Sequence, residues 1–466
     1  MNYQNIKRTS LSIAVAGALA TGASQAYASA FGLIEQNASG LGNAYAGAAA
    51  AAEDASTIYY NPAGLSLLPA GKQIVLGMNA IQPSSKFSDG GSLPSGTGIP
   101  GTVPQALRPL GGTGGDAGDL AFVPHFYFAM DVAKDLKFGV GVGAPFGLKT
   151  EYGSDWLGRF QGIKSDLKTV NINPTLAWRA NDRVSLGLGL NYQRIDADLT
   201  SAVPTVASAF GGVLAATGSA ATAIGVANAI PAANAEGTVS ITGSDSAWGY
   251  NFGGMFKLSN QTRLGVSYRS AIKYHVSGTA NFSGIPAGLP AAVAAGLASG
   301  GVGLDIKMPD SLSVALNHQL NAKWTLLGDL SWTGWAKINE LRIVRDSGST
   351  LSLTPENFKN TWRAGFGASY RYNDKWTSKV GIAFDKTPIN DTDRTVRLPD
   401  SDRTWLAIGA QYRLAKNSAL DIGYSHLFMK NASINQNAGS TAAYGLVQGT
   451  YKNSVDILGA QFSYRF

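Results

Sequence analysis

The sequence predicts an all-β protein, a transmembrane barrel of fourteen antiparallel strands. Charged residues make up only 14% of the chain and glycine contributes 57 residues, whereas a soluble protein usually has about a quarter of its residues charged. Beyond the signal-like N-terminus, no apolar run reaches the roughly 18 residues of a membrane-spanning helix without charged or turn residues. The apolar residues instead alternate with small or polar ones, as they do in barrel strands.

Segments with a period of two recur along the chain. Val184 to Tyr192 alternates apolar residues with Ser, Gly and Asn, and Leu406 to Leu414 alternates them with Ala, Gly, Gln and Arg. The same pattern continues at Trp362, Phe366, Tyr370, Trp376, Val380, Ile382 and Phe384. A helix is excluded, because its apolar face repeats every 3.6 residues. A soluble β-sandwich or propeller would need charged outer faces, and here these faces are apolar.

Short and long connections also alternate, and their number gives the strand count. The short polar turns are at Lys134-Asp135, Asn181-Asp182, Ser259-Asn260, Asn321-Ala322, Asn373-Asp374 and Lys416-Asn417. The long connections are near 83–118, 148–166, 200–236, 281–302, 346–357, 386–401 and 431–452. Six turns and seven loops imply fourteen strands. In outer-membrane barrels, short turns face the periplasm and long loops the outside.

The N-terminus has the features of an export signal. Lys7 and Arg8 precede an apolar stretch from Leu11 to Ala23, and small residues follow. Cleavage after Ala28 or Ala30 fits the small-x-small pattern, so we expect a signal peptide at residues 1–28 and localisation in the cell outer membrane.

The C-terminus has an apolar face that ends on an aromatic residue. Leu458, Phe462, Tyr464 and Phe466 share one face of the last strand. A terminal aromatic in this position resembles the signal that the barrel assembly machinery reads during insertion.

Residues 31–70 are rich in Ala, Gly and Asn and do not fit a lipid-facing strand. They contain Ser39-Gly40-Leu41-Gly42-Asn43-Ala44-Tyr45, Glu53-Asp54-Ala55 and the triplet Asn61-Pro62-Ala63. This ordered set resembles the N-terminal hatch of the FadL family, outer-membrane transporters of long-chain fatty acids and hydrocarbons that include toluene-transport relatives. The resemblance covers the mature chain, including Ala144-Pro145-Phe146-Gly147-Leu148 and Phe466. It implies a hatch at 29–70 that plugs a fourteen-stranded barrel at 71–466.

Two long loops are apolar, which is unusual for loops that face water. Residues 202–236 carry Phe210 and Leu214, and residues 283–303 carry Leu289 and Val293. Their short helices either bury against each other as a lid or form a surface groove that collects hydrophobic ligand. The family resemblance favours the groove.

The resemblance also implies a path through the barrel to a lateral opening beside a kinked third strand. The matching strand runs from Leu136 to Phe146 and carries Gly141, Gly143 and Pro145, residue types that weaken strand pairing. We expect the lateral opening at 141–147. The alternative is that the glycines only make room for the hatch.

An interior pocket is expected beside the start of the mature chain, with Phe31, Leu33 and Ile34 as apolar wall residues. Similar proteins use interior basic residues to meet a carboxylate head group. Strand alternation points to Lys337 and the family match to Arg342, and a bulge between them would reconcile the two. Arg194 has lipid-facing parity, and we expect it to meet lipopolysaccharide phosphate.

We expect no catalytic activity, no cofactor and no metal site. The four histidines, His125, His275, His318 and His426, fall in no Gly-x-Ser-x-Gly or His-Glu-x-x-His pattern. The chain has no cysteine, so metal sites lack their usual donors. No basic cluster resembles a nucleic-acid stripe.

The sequence therefore predicts a monomer whose partners are a hydrophobic small molecule, outer-membrane lipid and lipopolysaccharide, but no nucleic acid. Long-chain fatty acid is the favoured substrate. Aromatic or alkane hydrocarbons are the alternative substrate. A general porin or an adhesin is the alternative from another functional class.

Overall fold

The computed structural model describes residues 30–466, so the predicted signal peptide lies outside the described residues. Twenty strand segments form one antiparallel sheet. They build fourteen barrel strands, because six strands consist of two segments each. The first strand pairs with the last from Gln73↔Arg465 to Asp89↔Gly449, which closes the sheet on itself. The predicted fold class and strand number are confirmed.

The barrel strands are numbered in chain order. The first seven are β1 Lys72–Asp89, β2 Ala121–Ala133, β3 Leu136–Gly143 with Gly147–Glu151, β4 Lys164–Arg179, β5 Val184–Val203, β6 Gly237–Lys257, and β7 Thr262–Arg269 with Ile272–Ser283. The others are β8 Gly300–Met308 with Ser311–Gln319, β9 Trp324–Thr333 with Glu340–Arg345, β10 Thr350–Pro355 with Thr361–Arg371, β11 Trp376–Asp385, β12 Arg403–Ala415, β13 Ser418–Met429 with Ala432–Gln436, and β14 Val447–Arg465.

The helices are short and lie in the N-terminal segment and the long loops. They are α1 Ala48–Ala51, α2 Thr57–Tyr60, α3 Thr205–Thr217, α4 Ala220–Asn228, α5 Ala291–Gly296 and α6 Thr441–Tyr444. Five 3-10 turns span Leu41–Asn43, Pro62–Leu67, Gln105–Leu107, Ala232–Asn234 and Trp335–Lys337. Among residues 30–466, no helix is long and apolar enough to cross a membrane.

Strand faces follow the predicted alternation. The outward-facing side chains of Leu188 and Ile408 are 55% and 61% exposed. Asn191 lies on the opposite face of the same strand as Leu188 and is fully buried in the lumen. Arg194 faces outward, as expected, and pairs with Asp196 at 2.7 Å. An apolar outer face is what the hydrocarbon of a membrane requires.

All six predicted turns are present, but two of the predicted long loops differ. The 346–357 loop is a tight hairpin at 346–349, because β9 and β10 continue beyond their breaks. The 386–402 connection does not extend outward. Its residues Ile389, Val396 and Leu398 are buried, so this loop folds into the barrel mouth.

Residues 30–68 lie inside the barrel, and we call them the plug. Asn61 Nδ2 donates to the carbonyl oxygens of Ala49 at 2.7 Å and Gly254 at 3.1 Å, which fixes the turn at Asn61-Pro62-Ala63. A Cβ atom on Gly187 or Gly253 would overlap with this turn. The inner wall therefore needs glycine where the plug touches it.

A buried ionic cluster anchors the plug to the opposite wall. Lys379 Nζ lies 2.6 Å from Glu53 Oε2 and 3.4 Å from Asp421 Oδ1. It also donates to the carbonyl oxygen of Ser39 at 2.7 Å. Lys379 and Asp421 belong to the wall, and Glu53 and Ser39 to the plug, so the contact joins the two parts.

Candidate functional site

A cavity of about 160 Å³ lies in the lumen between the plug and the barrel wall. Its wall combines apolar and aromatic side chains with hydroxyl groups, two arginines and the carboxyl group of Asp385. The lining residues are Gly32, Leu33, Ile34, Tyr59, Tyr60, Pro145, Phe146, Ser267, Arg269, Pro309, Ser311, Ser313, Ser331, Thr333, Trp335, Thr361, Arg363 and Asp385. Ligand sites are typically apolar concavities with a few placed polar groups, so this cavity is the candidate site.

The apolar side of the cavity contains the first residues of the plug. Leu33 and Ile34 line it. Phe31 is buried and packs edge-on against Trp335, with ring centroids 4.9 Å apart. Trp335 also meets Phe146 at 6.2 Å. The sequence predicted the plug residues, but not Trp335, which lies in a 3-10 turn that interrupts β9.

Two arginines supply positive charge to the cavity. Arg269 stacks over the ring of Tyr59 at 4.4 Å and donates to the Tyr59 carbonyl oxygen at 3.0 Å. Arg363 donates to the carbonyl oxygen of Ala44 and lies 3.5 Å from Asp329. Among the described residues, the Nε of Arg363 has no hydrogen-bond partner. This N–H donor is buried in a residue that lines the cavity.

The structure places the two predicted basic residues elsewhere. Lys337 points away from the lumen, pairs with Asp310 at 2.5 Å and lies over the outward ring of Trp332. Arg342 is exposed and pairs with Glu340 at 2.8 Å. The prediction that Lys337 faces inward was wrong, because the turn at Trp335–Lys337 shifts the parity of β9. The side chains of Arg269 on β7 and Arg363 on β10 face the lumen.

Strand β3 is interrupted at residues 144–146, within the predicted 141–147 region. Pairing with β2 ends at Phe126↔Val142, and pairing with β4 resumes at Gly147↔Lys168. The plug takes the place of β2. Leu33 N donates to Pro145 O at 2.7 Å and Gly147 N to Phe31 O at 2.8 Å. The interruption thus opens inward onto the cavity and is covered by the N-terminal residues.

Gly141 and Gly143 belong to the regular part of β3. Gly141 pairs with Tyr127 and Asn173. A Cβ atom on Gly141 would overlap with Tyr127, and one on Gly143 with the side chain of Gln36. These glycines therefore make room for the plug and its neighbours, which was the alternative considered for them. Pro145 and Phe146 form the break itself.

The apolar loops pack against one another. Val293 of α5 contacts Gly212 of α3 and is 8% exposed. Phe210 and Leu289 are half-buried against one shared apolar cluster, and Leu214 is also half-buried. Ile99 and Val103 of the first long loop join this cluster. The sequence did not predict that Ile99 and Val103 join this cluster, because the first long loop is mostly polar and glycine-rich.

The inward-folded loop meets the plug at a buried charge cluster. Asp400 Oδ2 accepts from the backbone N of Ala30 at 3.0 Å, and Asp400 Oδ1 lies 2.5 Å from Arg403. Glu35 lies nearby, fully buried, and among the described residues its carboxylate has no hydrogen-bond partner. Burial raises the pKa of Glu35 to about 7, against the opposing charge of Arg403.

Comparison with known proteins shows the family to which the chain is similar. The model of the family described as outer membrane protein transport protein (OMPP1/FadL/TodX) matches residues 19–466. A long-chain fatty acid transport protein of Escherichia coli K12 is 28% identical over 466 residues, covering 97% of this chain and 98% of that protein. A putative outer membrane protein of Neisseria meningitidis serogroup B is 32% identical over 484 residues, covering both chains completely.

Two solved structures illustrate the shared fold. A Pseudomonas aeruginosa FadL homologue superposes with a TM-score of 0.83 at 23% identity, covering 94% of this chain and 100% of that chain. The Pseudomonas putida toluene transporter TodX superposes with a TM-score of 0.64 at 18% identity and the same coverage. At these identities the likeness concerns the barrel and its topology.

Proposed function

The chain belongs to the family of outer membrane protein transport proteins that includes FadL and TodX, and on this premise we propose that it carries long-chain fatty acids. The family consists of outer-membrane transporters of hydrophobic molecules and not of enzymes. The observation that carries the choice of substrate is the pairing of an apolar wall with Arg269 and Arg363 in one buried cavity. A fatty acid has the matching chemistry, an apolar chain and a carboxylate.

The carboxylate would meet the free Nε of Arg363. Hydrogen bonds to a charged donor are worth roughly 1.5–3 kcal/mol, and an arginine presents its donors in a geometry suited to carboxylates. The acyl chain of the fatty acid would lie against Leu33, Phe146 and Trp335. Hydroxyl groups such as those of Ser311 and Thr333 complete the polar side of the cavity.

The size of the cavity makes binding moderate. A cavity of about 150 Å³ holds a benzene molecule, so the 160 Å³ here accepts only part of a long acyl chain. Burying roughly six methylenes contributes about 5 kcal/mol at ~0.8 kcal/mol each. With the hydrogen bond to Arg363 the sum is about 6–8 kcal/mol, and the cost of ordering the ligand brings it below the roughly 8 kcal/mol of micromolar binding. A transporter benefits, because the ligand leaves readily.

The proposed path has three stages. Ligand first binds the apolar loop groove at Phe210, Leu214, Leu289 and Val293. It then moves past the inward-folded loop to the cavity. It leaves sideways at Pro145 and Phe146, once residues 31–33 release the β3 interruption. The inward opening of this interruption onto the cavity supports the last stage.

Aromatic hydrocarbons are a second candidate substrate, favoured by one observation. The rings of Phe31, Phe146 and Trp335 cluster at the cavity with centroids 4.9 to 6.2 Å apart, and the volume suits a single aromatic ring. A neutral hydrocarbon would leave Arg363 Nε without a partner, which disfavours it relative to a carboxylate.

Two partners and the oligomeric state complete the proposal. Arg194 would meet lipopolysaccharide phosphate from its outward position, and the terminal Phe466 would be read by the assembly machinery. A monomer suffices, because the closed barrel leaves no sheet edge to pair.

Initial uptake of labelled oleate and labelled toluene tests the substrate, in cells that lack their own hydrophobe port, with and without this protein. The proposal expects restored oleate uptake that unlabelled fatty acid competes away. Toluene uptake alone would assign the protein to hydrocarbons. Uptake of neither by a folded barrel would overturn the proposal in favour of a porin or an adhesin.

A further inference from the structure

The barrel wall has a second interruption, between β8 and β9. Pairing of these strands runs up from the periplasmic turn to Ser311↔Thr333 and resumes only at Gly303↔Val344. Between these points residues 304–310 face residues 334–343, and the β9 side is three residues longer. The backbone bond from Gly334 N to Asp310 O, 2.9 Å, closes the lower end.

The neighbouring break between β9 and β10 is joined by backbone contacts. The carbonyl oxygen of Asn339 accepts from Glu356 N at 2.8 Å and from Asn357 N at 2.9 Å. Backbone contacts therefore hold this stretch to β10, whereas its ladder with β8 is interrupted above the Gly334–Asp310 bond. The opening is confined to one strand boundary.

The extra residues of β9 fold inward and close the gap from the lumen side. Trp335 is 1% exposed and Ile338 3%. The ring of Trp335 packs on Phe31 and Phe146 and lines the cavity. Within the described part of the chain, its buried Nε1 has no hydrogen-bond acceptor. A buried N–H without a partner costs free energy and can be satisfied by a ligand acceptor.

An ion pair closes the gap from outside. Lys337 of β9 lies 2.5 Å from Asp310 of β8, and Tyr268 donates to Asp310 at 3.2 Å. The pair is 30% and 15% exposed. A single partly exposed ion pair contributes little to stability, so it holds the gap weakly.

The outer surface sets the level of this gap in the membrane. Leu312 and Trp332 face each other one step below it and are 40% and 37% exposed. At the level of the gap itself, outward positions carry Lys273 and Lys307, and Asp305 beside them pairs with Lys273 and His275. An aromatic residue followed by charges marks the boundary between hydrocarbon and head groups. The gap therefore opens at head-group level.

We infer that residues 304–310 and 334–343 form a second lateral portal, through which an anionic single-chain amphiphile passes from the outer membrane surface into the cavity. The inference rests on the proposed fatty-acid transport. Lys337 offers the anionic head a cation outside, Trp335 offers an aromatic surface inside, and Arg363 lies beyond it in the same cavity. The portal lies on a different strand boundary from the β3 interruption.

Cross-linking across the gap tests the portal, and the absence of native cysteine makes the test specific. The variant is Asp310→Cys with Lys337→Cys, joined by a short bis-maleimide. The control is Val314→Cys with Leu330→Cys, an outward pair directly opposite on the same strands, where a cross-link closes nothing. Heat-modifiable gel mobility verifies that both barrels are folded.

Labelled oleate uptake is measured before and after cross-linking. We expect at least a twofold fall in the portal variant and no change in the control. Equal uptake in both cross-linked proteins would overturn the portal while leaving transport intact. Absence of oleate uptake before cross-linking, in both variants and in the unmodified protein, would instead refute the proposed function. As a second readout, a diazirine oleate analogue should label residues 334–343, and labelling confined to the loops and β3 would contradict the portal.

Discussion

The backbone N of Leu33 donates a hydrogen bond to the carbonyl oxygen of Pro145 over 2.7 Å, which makes the start of the plug a substitute strand at the β3 interruption. Phe31 O accepts from Gly147 N in the same ladder, at 2.8 Å. An unpaired backbone group inside a membrane protein costs several kcal/mol. The plug therefore satisfies groups that β2 leaves free, and its release exposes them.

Replacing Leu33 by proline should loosen this cover. Proline has no N–H donor, and leaving a buried partner unsatisfied costs about 1–3 kcal/mol. We expect faster initial uptake of a hydrophobic antibiotic, by up to roughly tenfold, measured in cells carrying the variant. Leu33→Ala is the matched control, because it removes the side chain and keeps the donor. Equal uptake by the two variants would exclude a role for the hydrogen bond.

Arg363→Gln should reduce oleate uptake selectively. Loss of a charged donor for the carboxylate weakens binding by roughly 1.5–3 kcal/mol, about ten- to a hundredfold in affinity. Toluene uptake should not change. Arg342→Gln serves as the control, since Arg342 is exposed and pairs only with Glu340 among its ionic contacts in residues 30–466. A parallel loss of toluene uptake would assign Arg363 to holding Ala44 of the plug instead.

The barrel could be predicted from sequence because its determinants are local. Alternation such as Leu188 and Leu190 against Asn191 depends only on one strand, and each short turn adds one strand boundary. The cavity depends on contacts between distant segments. Trp335 and Arg363 became visible as site residues only once the break in β9 and the position of the plug were known.

Strand alternation predicts the wrong side-chain direction where a strand is interrupted. Counting alternate residues from Trp324 placed Lys337 inside, but three added residues and a 3-10 turn reverse the face. Pro309 in β8 was the available signal, because proline within a strand marks a bulge or break. The inward fold of residues 386–402 was hidden for another reason. Its apolar residues Ile389, Val396 and Leu398 are scattered among polar ones.

Lys379→Met should release the plug from the wall. Removing one partner of a buried ionic cluster leaves the others uncompensated and typically costs 3–5 kcal/mol. Residues 31–70 contain Glu35 and Glu53 but no lysine or arginine. A glutamyl endopeptidase should therefore cut this variant faster than the parent protein.

Two further variants test the origin of that effect. Lys375→Met changes an exposed lysine in the turn before β11 and should leave cleavage unchanged. Adding Asp421→Asn to Lys379→Met removes one stranded carboxylate and should restore part of the resistance. If cleavage of the Lys379 variant matched the parent, the ionic anchor would not hold the plug.

Glu35 should make docking of the plug depend on pH. It belongs to the plug and not to a membrane-spanning strand, and burial raises its pKa from 4.5 to about 7. A raised carboxyl pKa means that the docked plug binds a proton more tightly than the released one. Below pH 4.5, Glu35 therefore has no effect on docking of the plug. Docking weakens as the pH rises towards 7. Above pH 7 the docked plug bears the full free-energy cost of the charged Glu35, about 3 kcal/mol at 1.36 kcal/mol per pKa unit.

Glu35→Gln removes this dependence, since glutamine stays neutral. Hydrogen exchange of plug amides, compared between the two proteins at one pH at a time, measures it. At pH 5 the proteins should exchange at similar rates, and at pH 8 the parent should exchange faster by on the order of a hundredfold. Faster exchange in the Gln variant at pH 8 would mean that Glu35 is charged in the docked plug and stabilised there by Arg363 and Arg403. The pKa would then lie below 4.5, and the charge cluster would hold the plug instead of loosening it.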